Sequence, residues 1–275
     1  MKLPQFEGME YDARIRRAEK IIAENGPAAE LLIFYRRIAQ FQKSLLEQIA
    51  SRAPEPGMRQ FASVRDKLDL ALVLPHFRDL LAVVEQNGPK ALAEAAREMS
   101  EMTSESWAAL FVECWKNGGL ANQQVGAFEQ FFSRAILQPY AEYVGGRTAV
   151  PPVVATPQIC PLCGGQPLLG VLRLEGDGGK RYLVCSFCGC EWAFQRILCA
   201  ACGEVEEKKL PVYVAEQFPH IRVEACETCK FFLRTIDTTK DGHAVPIVDD
   251  LAAIPLTLWA HEHGYSRLQP NLLGS

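Results

Sequence analysis

Apolar side chains in the first half of the chain recur at the spacing of amphipathic helices. In the segment 28–50, AAELLIFYRRIAQFQKSLLEQIA, they return every three or four residues and so share one helix face. The positions are Leu31, Phe34, Ile38, Phe41, Leu45 and Ile49. Comparable patterns occur at 70–86, 104–117 and 125–144. We therefore expect six to eight helices over residues 10–146, packed as one bundle.

The pattern changes after Gly145 and Gly146, which end the helical half. Residues 151–157 hold three prolines and are typical of a linker. Beyond them, short runs such as RYLVC and IRVEAC favour β-strands. The sequence thus predicts an α+β protein, with an all-α bundle at 1–148 and a second, cysteine-rich domain at 149–275.

The end of the second domain is predicted to be a helical tail. The stretch DDLAAIPLTLWAHEHG favours a short helix, with Asp249 or Asp250 as its N-cap.

Nine of the ten cysteines lie in the second domain, and eight of them form CxxC pairs. The pairs are Cys160/Cys163, Cys185/Cys188, Cys199/Cys202 and Cys226/Cys229. The gaps between consecutive pairs are 21, 10 and 23 residues, which is the layout of a tandem repeat. Each unit is typical of a zinc ribbon or a rubredoxin, so we predict two such modules, at about 158–196 and about 197–237.

This spacing suits a metal ion held by four thiolates. A CxxC turn points two sulfurs at one ion, and a gap of this length fits a β-hairpin that returns the second pair. The residue after a pair often needs a left-handed backbone, which glycine adopts without strain. Gly164, Gly189 and Gly203 fill three of these positions, but Lys230 fills the fourth.

Other uses of the cysteines fit the sequence less well. Disulfides imply secretion, and the N-terminal MKLPQFEGMEYDAR lacks the apolar core of a secretory signal. A thioredoxin-type CxxC needs a βαβ setting and a single low-pKa thiol, which four regularly spaced pairs among β-hairpins do not supply. Pairing first with second and third with fourth is favoured, while interleaved pairing stays open. Sulfur-only tetrahedral sites suit both zinc and a single rubredoxin-like iron.

The remaining candidates are mostly structural. We expect Cys190 to be a small packing residue, the alternatives being a reactive or partner-facing thiol and a substitute ligand. Cys114 belongs to a helical stripe and is expected in the core. Trp192 and Phe194 are expected to pack beneath a metal site. The five histidines show no HExxH spacing, and no local motif indicates catalysis.

Charge disfavours nucleic acid as a partner. The chain carries a formal −4, and residues 151–275 hold 11 basic and 14 acidic side chains. Two divalent ions on eight thiolates would bring this half to about −7, whereas a nucleic-acid-binding ribbon needs a basic face. The longest apolar stretches are about half a membrane span, so we expect a soluble, cytoplasmic protein with no membrane insertion.

The motifs together resemble the FdhE family of formate dehydrogenase accessory proteins. The likeness rests on ICPLCGGQP, RYLVCSFCGCEWAFQRILCAACG, ACETCK and the closing DDLAAIPLTLWAHEHGY, and it extends over nearly the whole chain. It implies a non-catalytic cytoplasmic factor that binds the catalytic subunit of respiratory formate dehydrogenase before export. It also implies that the eight paired cysteines are ligands of two mononuclear iron or zinc ions, and it assigns no role to Cys190.

Two other functions remain open at this point. Four-cysteine sites are compatible with a rubredoxin-like iron protein that transfers electrons, including during formate dehydrogenase maturation. A nucleic-acid-binding ribbon is disfavoured by the acidic balance. The sequence leaves the oligomeric state and the client-binding surface unspecified.

Overall fold

The first half of the protein is helical in the computed structural model, which describes residues 11–52, 64–119, 126–148, 157–176 and 178–274. Its helices are α1 (Tyr11–Ala23), α2 (Ala29–Arg52), α3 (Phe77–Asn87), α4 (Lys90–Ser100), α5 (Ser104–Lys116) and α6 (Ala127–Gly145). Six α-helices in the described part of this first half agree with the lower end of the predicted number. The helical expectation for the first half is confirmed.

Local sequence explains where these helices begin and end. Asn25 adopts a positive φ of 51° before Gly26-Pro27, which separates α1 from α2. The Thr103 side chain accepts a hydrogen bond from the Ser106 N–H and caps α5. Around Pro75 the chain forms short 3₁₀ turns, so α3 begins later than the pattern from residue 70 predicts.

The second half is built on one mixed sheet with seven strands in its described part. They are β1 (Pro167–Glu175), β2 (Gly178–Cys185), β3 (Glu191–Ala193), β4 (Val212–Val214), β5 (Ile221–Ala225), β6 (Phe231–Asp237) and β7 (Ser266–Arg267). Their order is β3-β2-β1-β6-β5-β4, with β7 beside β6. The predicted hairpins β1–β2 and β4–β5 are present, each between the two cysteine pairs of one module.

The two modules share the sheet through a parallel pair that local patterns did not reveal. Strand β1 of the first module pairs with β6 of the second, in the register Gly170 to Thr235. A side chain on Gly170 would overlap the Thr235 hydroxyl, so this close approach requires glycine. The modules therefore form one continuous structure and not two separate hairpins.

Two helices cover one face of the sheet, α7 (Pro246–Ala252) and α8 (Ile254–Glu262). Two short helices stand where the sequence predicts one helix, and the predicted cap is wrong because α7 begins at Pro246. Asp249 lies inside the helix and its carboxylate reaches back to the Val245 N–H at 2.7 Å. Asp250 is fully buried, where it pairs with Arg234 and Arg267.

The hydrophobic core is continuous between the halves. One cluster of buried side chains joins α2–α6 to the first cysteine module, and it includes Phe132, Phe187 and Trp192. A second lies between the sheet and α8, and a third joins α1 and α2 to α7. The helical half and the first module are thus packed as one body.

Candidate metal centres

The eight paired cysteines come together in two groups of four. We call Cys160, Cys163, Cys185 and Cys188 site 1, and Cys199, Cys202, Cys226 and Cys229 site 2. In each site the four Sγ atoms lie within 4.8 Å of one another. The pairs are therefore grouped sequentially, first with second and third with fourth.

The sulfur spacing fits a tetrahedral metal ion. Sγ–Sγ distances are 3.6 Å for Cys160–Cys188 and 3.4 Å for Cys163–Cys185. In site 2 they are 3.8 Å for Cys199–Cys229 and 3.7 Å for Cys202–Cys226. Four sulfurs at about 2.3 Å from a central ion stand about 3.8 Å apart. Both groups therefore have the donor chemistry and the size to hold one ion.

All four CxxC turns, or knuckles, share one backbone arrangement. The N–H of the first cysteine donates to the carbonyl five residues later, at 2.8 Å for Cys160 and 2.9 Å for Cys199. The same bond forms in the turns that begin at Cys185 and Cys226. Each knuckle is thus closed by its own backbone, which places its two sulfurs on the same side.

The residue after each knuckle is left-handed, as the sequence predicts. Gly164, Gly189 and Gly203 have φ of 65°, 67° and 78°. Lys230, the exception in sequence, adopts the same conformation with φ of 60°. The fourth knuckle therefore keeps the geometry of the others, at the strain that a side chain adds in this region.

Backbone N–H groups face several of the sulfurs. In site 1 the Gly165 N–H approaches Cys163 Sγ, and the Phe187 N–H approaches Cys185 Sγ, both at 3.4 Å. In site 2 the Ala201 N–H lies 3.4 Å from Cys199 Sγ. Such donors stabilise negative charge on thiolates and so favour a bound cation.

Site 1 is enclosed between the domains. Each of its four cysteines is at most 3% exposed. Arg65 donates to the Cys163 carbonyl, while Arg134 and Gln138 on α6 donate to the Ser186 carbonyl at 3.2 and 3.0 Å. The cysteines of site 1 therefore belong to the core that joins bundle and sheet.

Site 2 lies at the surface. Cys199 and Cys226 are buried, but Cys202 is exposed and Cys229 is partly exposed. Apolar side chains stand exposed beside its knuckles, among them Val205 and Phe231. Solvent, chelators and partner molecules can thus reach site 2 directly, which is not true of site 1.

Cys190 is a fifth sulfur beside site 1. Its side chain is fully buried, and its carbonyl accepts from the Cys185 N–H. Its thiol donates to the Glu191 carbonyl at 3.7 Å, and the nearby Cys160 thiol together with burial raises the pKa of Cys190. Trp192 and Phe194 are buried in the same cluster as the site 1 cysteines, as predicted. The packing role expected for Cys190 fits this position.

Cys114 is a core residue of α5, as the sequence predicts. It is 8% exposed, and burial raises its pKa to about 12. The thiol is therefore neutral and unreactive at physiological pH.

Sequence reasoning missed a third cluster of potential ligands, formed by His220, Asp241 and Asp249. Its members are far apart in sequence, so no local spacing could reveal it. Arg17 from α1 contacts Asp241 at 2.9 Å and Asp249 at 2.5 Å. Because the guanidinium already neutralises the carboxylates, we interpret this cluster as an ion-pair network that fastens α1 to α7.

No helix within the described residues is both long enough and apolar enough to cross a membrane.

The described structure combines a helical bundle with a mixed sheet that carries two groups of four cysteines, each able to hold a metal ion. Sequence models of the FdhE family match both modules, its central domain at residues 159–196 and its C-terminal domain at residues 197–273. The chain is thus similar to FdhE proteins, both through these two domain matches and through relatives that align over almost its full length.

Relatives in that family align over almost the full chain. A protein FdhE homolog of Pseudomonas aeruginosa is 29% identical, with 98% of this chain and 92% of the relative aligned. An FdhE homolog of Aquifex aeolicus is 25% identical, with 92% of each chain aligned. The crystal structure of the FdhE protein from Pseudomonas aeruginosa superimposes with a TM-score of 0.74 at 25% identity, over 100% of this chain and 99% of that one.

Proposed function

We propose that this protein is a non-catalytic accessory factor for respiratory formate dehydrogenase. The observation that carries the proposal is the match of both FdhE domain models to the two cysteine modules, within a fold shared over the whole chain. In this function the protein binds the catalytic subunit of the enzyme in the cytoplasm, before export. The continuous core of bundle and sheet supports it, because a rigid adaptor keeps its binding surfaces in fixed relation.

The eight paired cysteines are proposed to hold two mononuclear ions, either iron or zinc. Four thiolates at tetrahedral spacing suit both metals. A bound ion at site 1 would cross-link the two knuckles that flank the β1–β2 hairpin and so stabilise the fold. The chain's own knuckles supply the sulfurs and the N–H groups that face them.

The test of the accessory function is association with its client. The tagged protein is co-expressed anaerobically with a formate dehydrogenase catalytic subunit and isolated under mild conditions. We expect the two to co-purify in a stoichiometric complex. A matched chain with Arg97→Gln, a change in an exposed ion pair of α4, serves as a folded control. Failure of the unaltered chain to retain any catalytic subunit would contradict the proposal.

A second candidate is a rubredoxin-like electron carrier, and the exposure of Cys202 favours it. Electron transfer needs a metal close to the surface, and site 2 is so placed. Metal analysis and a visible spectrum on protein purified without oxygen separate the alternatives. About two iron ions per chain that cycle between the ferrous and ferric states support the electron carrier. Two zinc ions, or iron that does not cycle, exclude it.

A further inference from the structure

Within the described residues, β4 is the last strand at one end of the sheet order, and its outer edge has no further strand beside it. Strand β4 has β5 on one side, where the Ala225 N–H donates to the Pro211 carbonyl at 3.0 Å. Along an antiparallel pair, consecutive residues direct their N–H and C=O groups alternately toward the partner strand and away from it. The N–H and C=O groups of Val212 and Val214 therefore point away from β5.

The protein does not protect this edge with charge. Edge strands usually carry lysine or an inward-pointing charge that discourages pairing. Here the two residues whose backbone groups point away from β5 are valines, and their side chains are exposed, Val212 to 54% and Val214 to 66%. The strand is three residues long, and this short length limits the number of backbone hydrogen bonds that an added strand could form. It offers two donors, two acceptors and two apolar side chains to an incoming strand.

A groove runs beside this edge. Its volume is about 900 Å³, and it lies between β4, α8 and the connection from α1 to α2. The walls are largely apolar, with Phe218, Pro255 and Trp259 among them. Glu24 is the one charged residue among the described residues of the lining. An occupant would meet apolar surface along most of its length and a carboxylate at one position.

We propose that the β4 edge and its groove bind an extended segment of a partner protein, apolar at alternate positions and basic at one end. The backbone of the segment adds a strand to the sheet, while its apolar side chains enter the groove and its cation pairs with Glu24. The inference deepens the accessory function proposed above, since it gives that function a docking surface. It does not depend on metal at either site.

The probe is a fluorescein-labelled synthetic peptide of about nine residues, two lysines followed by alternating valine and threonine. Binding to the full-length protein is followed by anisotropy, and amide exchange by mass spectrometry. We expect saturable binding and slower exchange at Val212 and Val214. N-methylation of the peptide nitrogens on one edge is expected to abolish binding, and methylation of the other edge to leave it intact. Equal effects of both methylations would overturn strand addition.

Substitutions in the protein give an independent test. Val214→Pro removes an outward N–H without touching a bond to β5, and it should weaken peptide binding about tenfold. Val214→Ala keeps that N–H and should weaken it about twofold. Glu24→Gln should weaken binding about threefold at low salt, whereas Glu30→Gln on α2 should not. Unchanged binding by both Val214→Pro and Glu24→Gln would overturn the site.

The same variants separate this inference from the accessory function. If Val214→Pro loses the peptide and also the catalytic subunit, both proposals stand together. If the variant still retains the subunit, the accessory function stands and the docking site is wrong. Concentration-dependent dimerisation that Val214→Pro abolishes, with no peptide binding, would identify a second copy of the chain as the occupant and overturn the proposal.

Discussion

The ring of Phe187, in the second knuckle of site 1, meets the indole of Trp115 on α5 edge to face, with centroids 5.4 Å apart. Gly119 makes this contact possible, since a Cβ there would lie 2.5 Å from the Phe187 ring. The Trp115 Nε1–H donates to the Arg65 carbonyl at 2.9 Å, which fixes the indole. A side chain between two cysteines of site 1 thus belongs to the core of the helical half.

Phe187→Ala should therefore destabilise the whole protein and not only its cysteine-rich half. The loss of a fully buried phenylalanine from a packed core costs about 3–5 kcal/mol. Val205→Ala, at an exposed position beside site 2, should change the free energy of unfolding by less than about 0.5 kcal/mol. Denaturant unfolding followed by circular dichroism measures both. Loss of sheet signal with intact helices in Phe187→Ala would contradict the shared core.

The sequence predicts the cysteine sites well because their geometry is local. A CxxC turn and the residue after it fix two sulfurs within five residues, and the hairpin between knuckles fixes the rest. The parallel pairing of β1 with β6 is different, because Gly170 and Thr235 are 65 positions apart and neither carries a local signal. Local sequence patterns also do not show that site 1 is buried and site 2 is exposed, because this difference depends on which knuckles the helices cover.

That burial difference predicts two rates of metal loss. Site 2 exposes Cys202, so a chelator can attack without any unfolding, whereas release from site 1 needs the core to open. A difference of about 1.4 kcal/mol in opening free energy already gives a tenfold difference in rate. We expect biphasic release to a chromophoric chelator, with one equivalent in each phase.

Serine substitutions assign the two phases. Cys202→Ser should remove the fast phase and leave the fold nearly as stable as before. Cys188→Ser, at a fully buried cysteine of site 1, should remove the slow phase and lower the midpoint of thermal unfolding. A single release rate in the unaltered protein, or a fast phase that survives Cys202→Ser, would show that exposure does not govern release.

The left-handed position of Lys230 predicts opposite effects of two matched substitutions. Gly203→Ala should destabilise metal-loaded site 2 by about 1 kcal/mol, because alanine is strained at a φ of 78°. A Cβ there would meet only Gln158, at 3.4 Å, so the cost is conformational. Lys230→Gly should stabilise by about 0.5 kcal/mol, the relief of strain being partly offset by chain entropy. Denaturant unfolding with metal present measures both changes in the free energy of unfolding. Changes of the same sign in the two variants would contradict backbone strain at Lys230.

The buried pair between α1 and α6 predicts a pH-dependent defect. Arg14 bonds to Glu142 at 2.8 Å, and a variant Arg14→Met leaves a buried carboxylate without its partner. Arg14→Met is expected to lower the free energy of unfolding by about 3–5 kcal/mol. The double variant Arg14→Met with Glu142→Leu should recover much of that stability.

The sign of the pH dependence follows from the carboxyl group. Burial raises the pKa of Glu142, and the Arg14 guanidinium opposes that rise. Without the guanidinium the folded protein holds a proton that the unfolded chain releases, so stability falls as pH rises through the folded pKa. The defect of Arg14→Met should therefore be smallest near the ordinary glutamate pKa of about 4.3 and larger at about pH 8. A pH-independent defect would indicate that Glu142 stays ionised.

Burial also predicts the order in which the thiols react. During chelator treatment, Cys202 and Cys229 become free at the surface, so a brief pulse of iodoacetamide should label them first. Cys114, with its pKa raised to about 12, and the fully buried Cys190 should remain unlabelled until the protein is unfolded in denaturant. Peptide mass spectrometry gives the labelled fraction at each cysteine. Labelling of Cys190 as fast as that of Cys202 would contradict its packing role and identify it as the reactive thiol that the sequence left open.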